Sequence, residues 1–273
     1  MSDIVLTAGV RANLLQLQST AATITNTQSK LATGKRVNSA LDNPINFFTA
    51  QGLSNRASDL TNLLDSMSTA ISTIQAANNG LTSITKLVQS AQALASQAQQ
   101  TSDATVRAGL ATQYNSIKVQ IDQLAGDSGF NGINLLDSSN STNLTVQLNE
   151  RNTSSVTVNA VDSTTTGLAI NNATNNWAAA ADITAASGEL TAALTTLRSQ
   201  SQAFGSQLST VQIRQDFTKA MVNTLQSGSD ALTLADSNEE GANLLALQTR
   251  QQLSTTALSL ASQASQAVLR LFQ

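Results

Sequence analysis

The chain has 273 residues, 11 % of them charged and 3 % aromatic, with a formal net charge of −3. An ordinary soluble domain is about 25 % charged; here Ser, Thr, Asn, Gln, Ala and Leu fill the gap, which suits thin helical seams better than a thick core. The absence of histidine and cysteine excludes disulfides, thiolate nucleophiles, ordinary zinc sites and imidazole acid–base chemistry, and a pI near 4.8 is no basic nucleic-acid footprint.

Residues 4–33 read as a helix. Val10, Leu17, Ile24 and Leu31 recur every seven residues, with Leu14 and Ala21 four behind the first two, which is a coiled-coil seam. Gln28 stands where the next apolar residue belongs, as either a weak spot or a polar register marker. A break follows over 35–43. Gly34 is placed as the left-handed residue that ends the helix. Pro44, the only proline, fits the first position of the next helix with Asn43 as its N-cap. That helix is predicted from Pro44 to about Gln100, roughly 85 Å at 1.5 Å per residue. Its stripe is Leu60, Leu64, Met67, Ile71, Ile74, Leu81 and Val88, interrupted at Asn78. The phase is kept across Asn79-Gly80, so the helix is read as continuous.

Thr101-Ser102-Asp103 supplies a turn and N-cap candidates. Leu110, Tyr114, Ile117, Ile121 and Leu124 mark a shorter helix ending at Gly126. Leu144, Val146 and Leu148, then Val156, Val158 and Ala160, alternate around a polar loop, which predicts a β-hairpin over about 143–160. The stretch from Asp162 to Ser187 is Ser/Thr/Asn-rich and is expected to be an exposed, tolerant loop, with Trp177 as its exception. Leu190, Leu194, Leu197, Phe204, Leu208, Val211, Val222 and Leu225 then follow one four–three alternation, with Ser201, Gln215 and Thr218 filling its gaps. A break is expected near Asn238-Glu239-Glu240-Gly241. The last helix carries two seams: Ala246, Leu253, Ala257, Leu260, Ala264, Ala267 and Leu271, and Leu244, Leu247, Leu258, Ala261, Val268 and Phe272. A helix apolar on two sides needs more than one partner. The N-terminal helix supplies one; other copies of the chain must supply the rest.

The predicted fold is mainly α: a long antiparallel heptad-patterned bundle, 44–234, with a β-hairpin insert, and N- and C-terminal helices, 1–34 and 237–273, paired as a coiled coil. No apolar run approaches the ~20 residues of a membrane span, so no membrane insertion is expected. The start of the chain lacks a basic segment before an apolar block, so no cleavable secretory signal is expected. Gly34-Lys35 lacks the rest of a phosphate loop, and without histidine no HExxH site exists. No catalytic residue, metal, cofactor or nucleic-acid partner is therefore expected.

Three stretches resemble bacterial flagellin, in the family's order: LATGKRVNSALDNP, then Gly129-Phe130-Asn131-Gly132 with Ile133, Leu135 and Leu136, then LRSQSQAFGSQLSTVQIR with the C-terminal ADSNEEGANLLALQTRQQLSTTALSLASQASQAVLRLF. The resemblance implies a subunit of an extracellular helical filament used for swimming, not an enzyme. It implies an inner assembly core built on the terminal seams Val10, Leu17, Ile24 and Leu31 with Leu253, Ala257, Leu260, Ala264, Ala267 and Leu271, and a linker carrying Gly34, Arg36, Asn38, Asp42 and Pro44. It implies export through the flagellar type III-like apparatus, a chaperone on the C-terminal helix, and filament-cap and hook-associated partners. The family's innate-receptor site carries an Arg and, three residues on, a Glu; Ser90 and Ala93 stand at those positions here. A hook–filament junction protein shares the terminal helices and is the alternative within the family. A secreted helical effector or binding module is the alternative outside it, and it would stay monomeric when concentrated.

Overall fold

The computed structural model describes residues 8–137 and 143–271, and within the last helix the side chains of 265 and 268–271 lie outside that description. Its helices are α1 (Ala8–Thr33), α2 (Pro44–Gln99), α3 (Ala104–Asp127), α4 (Ala180–Thr233) and α5 (Ser237–Leu271). The strands are β1 (Leu144–Gln147) and β2 (Ser155–Val158), paired antiparallel with Leu144 opposite Val158 and Gln147 opposite Ser155. The mainly helical class and the hairpin are as the spacing predicts. α2 runs unbroken through Asn79-Gly80, and α3 starts where Asp103 accepts from the Thr105 and Val106 amides, the N-cap the sequence offers.

The chain divides into two compact units, one drawing on residues up to Asn55 and from Thr224 onward, the other on Arg56–Asn223. The boundaries fall inside α2 and α4 rather than at the predicted 35–43 break. In the first unit, the start of α2 packs on the end of α4. Ser229 Oγ donates to the Ala50 carbonyl at 3.1 Å, and a side chain at Gly228 would meet Leu53.

The second unit is built on seams. Along α2 the buried apolar side chains of this unit are Ala57, Leu60, Met67, Ala70, Ile74, Ala77, Leu81, Ile84, Val88, Ala91, Ala95 and Ala98, a four–three alternation in which alanines take half of the places. Leu64 and Ile71 are half-buried beside it. α4 returns antiparallel: Gln92, Asn78 and Ser68 of α2 are hydrogen-bonded to Thr191, Ser201 and Gln215 of α4. The polar gaps at Asn78 and Ser201 therefore answer one another, while the gap at Gln215 is met by the exposed Ser68. Ser201 Oγ donates to Asn78 Oδ1 at 3.1 Å, and Gln215 Nε2 donates to Ser68 Oγ at 2.8 Å.

Gly80 is buried where the end of α3 and the next segment cross α2. A Cβ there would lie 2.6 Å from Leu136 Cδ1 and 2.8 Å from Ser128 Cβ. The helical φ at this position costs an alanine nothing, so the effect is steric. Gly80→Ala is expected to lower unfolding stability by about 1–3 kcal/mol through overpacking. Equal or higher stability in urea denaturation would mean that the crossing can open.

The expected exposed loop at 162–187 is corrected by the structure. α4 already begins at Ala180, and Ser163, Thr165, Leu168, Ile170, Trp177 and Ile183 are buried. The apolar ones among them are few and scattered among Ser, Thr and Asn, which is why composition does not reveal the burial. The segment is held by polar bonds from distant helices. The Val161 and Ser163 amides donate to the Leu135 and Leu136 carbonyls, both at 2.9 Å. Asp122 accepts from the Thr165 amide at 2.7 Å and its hydroxyl at 3.0 Å. Lys118 Nζ donates to Asn172 Oδ1 at 2.7 Å, Tyr114 Oη donates to the Asn171 carbonyl at 3.1 Å, and Glu189 takes the Asn171 amide and side chain at 2.9 and 2.7 Å. Burial pushes the Tyr114 hydroxyl up, helped by the Glu189 charge, and pushes the Lys118 ammonium down against the pull of Asp122 and Glu189. Trp177 is fully buried, its ring 5.0 Å from that of Tyr114.

Candidate assembly surface

The first unit pairs α1 with α5. Along α1 the inward positions are Val10, Asn13, Leu17, Thr20, Ile24, Thr27 and Leu31, alternating three and four. The predicted companions Leu14 and Ala21 are one step out of phase, for Leu14 is exposed and Ala21 only half-buried. Thr20 and Thr27 are more deeply buried than either. Thr20 satisfies its hydroxyl by donating to the Gln16 carbonyl at 2.8 Å, so a threonine can stand in an apolar seam. Gln28 is exposed and lies outside the seam.

On α5 the face turned inward is Glu240, Gly241, Leu244, Leu247, Gln251, Ser254, Leu258 and Ala261, all half-buried. This is the second of the two predicted seams. The first seam faces outward: Leu253 and Leu260 are 66 % and 62 % exposed, and Ala246, Ala257, Ala264 and Ala267 are exposed as well. The side chains of Leu271 and Val268, and all of Phe272, lie outside the described residues. Leu245 and Leu15, each 67 % exposed, add large apolar side chains. The pair is antiparallel, with Lys30 at the end of α1 bound to Glu240 in the first turn of α5 at 3.0 Å. The sequence marks Asn238-Glu239-Glu240-Gly241 only as a break and does not announce this bond. α5 opens at Asp236, whose Oδ1 accepts from the Asn238 and Glu239 amides. The break therefore falls at Leu234–Asp236, ahead of the Asn238–Gly241 where it is expected, and both glutamates sit in the first turn, where negative charge suits the helix dipole.

The linker closes this unit. Gly34 has φ +67°, the left-handed conformation that ends α1. Its carbonyl accepts from the Ala235 amide at 3.0 Å, while the Arg36 and Val37 amides donate to the Thr233 carbonyl at 2.7 and 3.2 Å. Arg36 also reaches the Leu232 carbonyl at 3.4 Å. Asn38 Nδ2 donates to Thr33 Oγ1 at 2.9 Å, and Asn43 Oδ1 accepts the Asn46 amide at 3.0 Å to cap α2, which starts at Pro44. Asp42 Oδ2 collects the amides of Asn38 and Ser39 at 3.0 and 2.9 Å and the Ser39 hydroxyl at 3.2 Å.

These donors, the Ser39 amide first and the Asn38 amide next, hold the Asp42 carboxyl below its ordinary 3.8. A depressed carboxyl stabilises the folded linker above its unfolded value and loses that contribution as pH falls through the folded one. Asp42→Asn is therefore expected to destabilise at neutral pH, with the difference fading as pH drops below about 4. Denaturation midpoints of the two proteins across that range check it; a difference independent of pH would exclude the carboxylate as its cause.

Ser90 and Ala93 are exposed on α2, with the Ser90 hydroxyl turned back onto the Lys86 carbonyl at 3.0 Å. Among the described residues no group of His, Cys, Asp and Glu could hold a metal ion. No helix among them is long and apolar enough to cross a membrane.

A family model described as the bacterial flagellin N-terminal helical region matches residues 7–141. The chain is 31 % identical over 274 residues to flagellin FljM of Caulobacter vibrioides, covering 100 % of this chain and 99 % of that protein. It is 24 % identical to a flagellin of Brucella melitensis, over the whole of both. A crystal structure of Bacillus cereus flagellin matches at 25 % identity with a TM-score of 0.49, over 57 % of this chain and 88 % of that one. On the end-to-end match at 31 % identity, with both terminal helices and the hairpin in place, this chain belongs to the bacterial flagellin family.

Proposed function

We propose that the chain is a structural, non-enzymatic subunit that polymerises into the extracellular filament of the bacterial flagellum. One observation carries the reading. After α5 has paired with α1, its other apolar seam, Leu253 and Leu260 at the centre, remains in water. A stripe of this kind on a long helix marks an interaction site, and neighbours in a helical array supply its cover. The low charge of the chain limits repulsion between closely packed copies. The terminal pair buries little by itself, since among the described residues only Thr20, Ile24 and Thr27 of α1 are buried. Burial returns about 25 cal/mol per Å² against about 1–2 kcal/mol of backbone entropy per ordered residue, so the pair is expected to gain most of its stability on assembly. The same reading gives it the flagellar export apparatus, a chaperone on the C-terminal helix, and cap and hook-associated proteins as partners. The test is electron microscopy of the concentrated purified protein. Filaments support the reading. Persistent monomers at all concentrations favour a secreted binding module, and a trace share of sheared appendages favours a junction protein.

The proposal extends to recognition. A receptor that relies on a charged Arg–Glu anchor loses a hot spot when Ser90 and Ala93 replace it, and hot spots are worth about 2 kcal/mol or more, roughly thirtyfold in potency. This chain is therefore expected to be a weak agonist of the innate flagellin receptor, and Ser90→Arg with Ala93→Glu to raise its potency. A reporter-cell titration in which the parent already matches a flagellin carrying the pair would overturn this.

A further inference from the structure

The sequence holds two Asn-Gly pairs, Asn79-Gly80 and Asn131-Gly132. Such pairs are open to imide formation, because glycine lacks the side chain that shields the following amide nitrogen. The fold treats the two in opposite ways. Asn79-Gly80 lies in the middle of α2, where the Gly80 amide belongs to the helix ladder and Gly80 is buried against Ser128 and Leu136. Asn131 and Gly132 form the tip of a tight turn, with φ +50° and +78°, closed by Phe130 N donating to the Ile133 carbonyl at 2.8 Å and the reverse bond at 3.0 Å. Both tip residues are exposed, and nothing lies within 4 Å of a Cβ built on Gly132. Neighbouring asparagines have their carboxamides engaged. Asn134 Nδ2 donates to the Ala125 and Gly126 carbonyls, and Asn149 binds the Thr153 and Ser154 amides and the Thr153 hydroxyl. Among the described residues, nothing is bonded to the Asn131 carboxamide or the Gly132 amide.

We infer that Asn131 is a site of spontaneous covalent modification, ageing to aspartate and isoaspartate through a cyclic imide, while Asn79 is protected. The Gly132 nitrogen attacks Asn131 Cγ. A new C–N bond forms, the former amide proton and the side-chain NH2 leave as ammonia, and no oxidant or reductant is needed. Water then opens the ring at either carbonyl. One product is an ordinary aspartate; the other carries an extra methylene in the backbone. Each adds one negative charge, and the isoaspartate form lengthens a turn that leads directly into the buried Leu135 and Leu136.

The intact protein is aged for days in mildly alkaline buffer beside a synthetic peptide of residues 127–137, which reports the unrestrained chemistry. Peptide mapping by mass spectrometry, with isoaspartyl methyltransferase labelling, reads both asparagines, and Asn131→Asp serves as the chromatographic standard. Conversion at Asn131 is expected within about tenfold of the peptide rate, and at Asn79 at least about a hundredfold slower, because the Gly80 amide reacts only when α2 opens locally. An intact Asn131 after the peptide has converted, or equal conversion at the two sites, would overturn the inference.

Discussion

Replacing Leu253 and Leu260 together by glutamate should abolish polymerisation while leaving the monomer's unfolding free energy within about 0.5 kcal/mol of the parent, as for other surface changes. Both side chains are largely in water in the single chain, so the monomer loses little. In a filament the same positions would be enclosed. Each substitution then forfeits about 1.5–3 kcal/mol of apolar burial and places a carboxylate where no cation has been provided. Even a net penalty of about 3 kcal/mol per subunit raises the critical concentration by roughly a hundredfold. Pelleting assays over a concentration series would show this, with hydrogen exchange on parent and variant monomers as the control for folding. Filaments from the double variant at the parental concentration would remove the α5 stripe from the assembly interface. Glutamates at Leu244 and Leu247, which face α1, should instead damage the pairing of α1 and α5 in the monomer.

The second large effect is expected at Trp177. Trp177→Ala should cost about 3–5 kcal/mol, the usual range for removing a buried tryptophan. The ring is fully enclosed and packs on Tyr114, so the cavity cannot fill with a neighbouring chain end. Its Nε1 has no hydrogen-bond partner among the described residues, and Trp177→Phe should therefore cost far less, since no bond is lost. Replacing 163–175 by a Gly/Ser linker removes the bonds to Asp122, Lys118, Tyr114 and Glu189 at once and is expected to be at least as damaging as the alanine. Chemical denaturation of all three orders them. A tolerated linker would return this segment to the exposed, dispensable class.

The same segment shows where sequence reading stops. Helices α2 and α4 are legible because large apolar residues repeat with a phase that survives single polar interruptions. The α1 seam is legible in its heptad but misplaced in its companion residues, because Thr20 and Thr27 do not register as apolar while Leu14 does. Segment 162–177 is legible only at Trp177, the exception its sequence offers. Its anchors are carboxylates, amides and an ammonium on α3 and α4, and nothing local in Ser163 or Thr165 announces an acceptor such as Asp122 on a distant helix. The Lys30–Glu240 bond is hidden for the same reason. The ends of the linker are legible, because glycine, proline and an N-cap asparagine act within a few residues of their own position.

The paired interruptions Asn78 and Ser201 act as an index mark. Both seams repeat every seven residues and are built from aliphatic side chains with few exceptions, so a slide by one repeat would still set apolar residues opposite apolar residues. A slide of seven would set Asn78 against Leu194 or Leu208, and Ser201 against Ile71 or Thr85. The carboxamide would then be enclosed with no donor, at about 1–3 kcal/mol for each unsatisfied group. A helix pair made of interchangeable teeth is thus keyed to a single notch, much as one buried asparagine sets the register of a coiled coil.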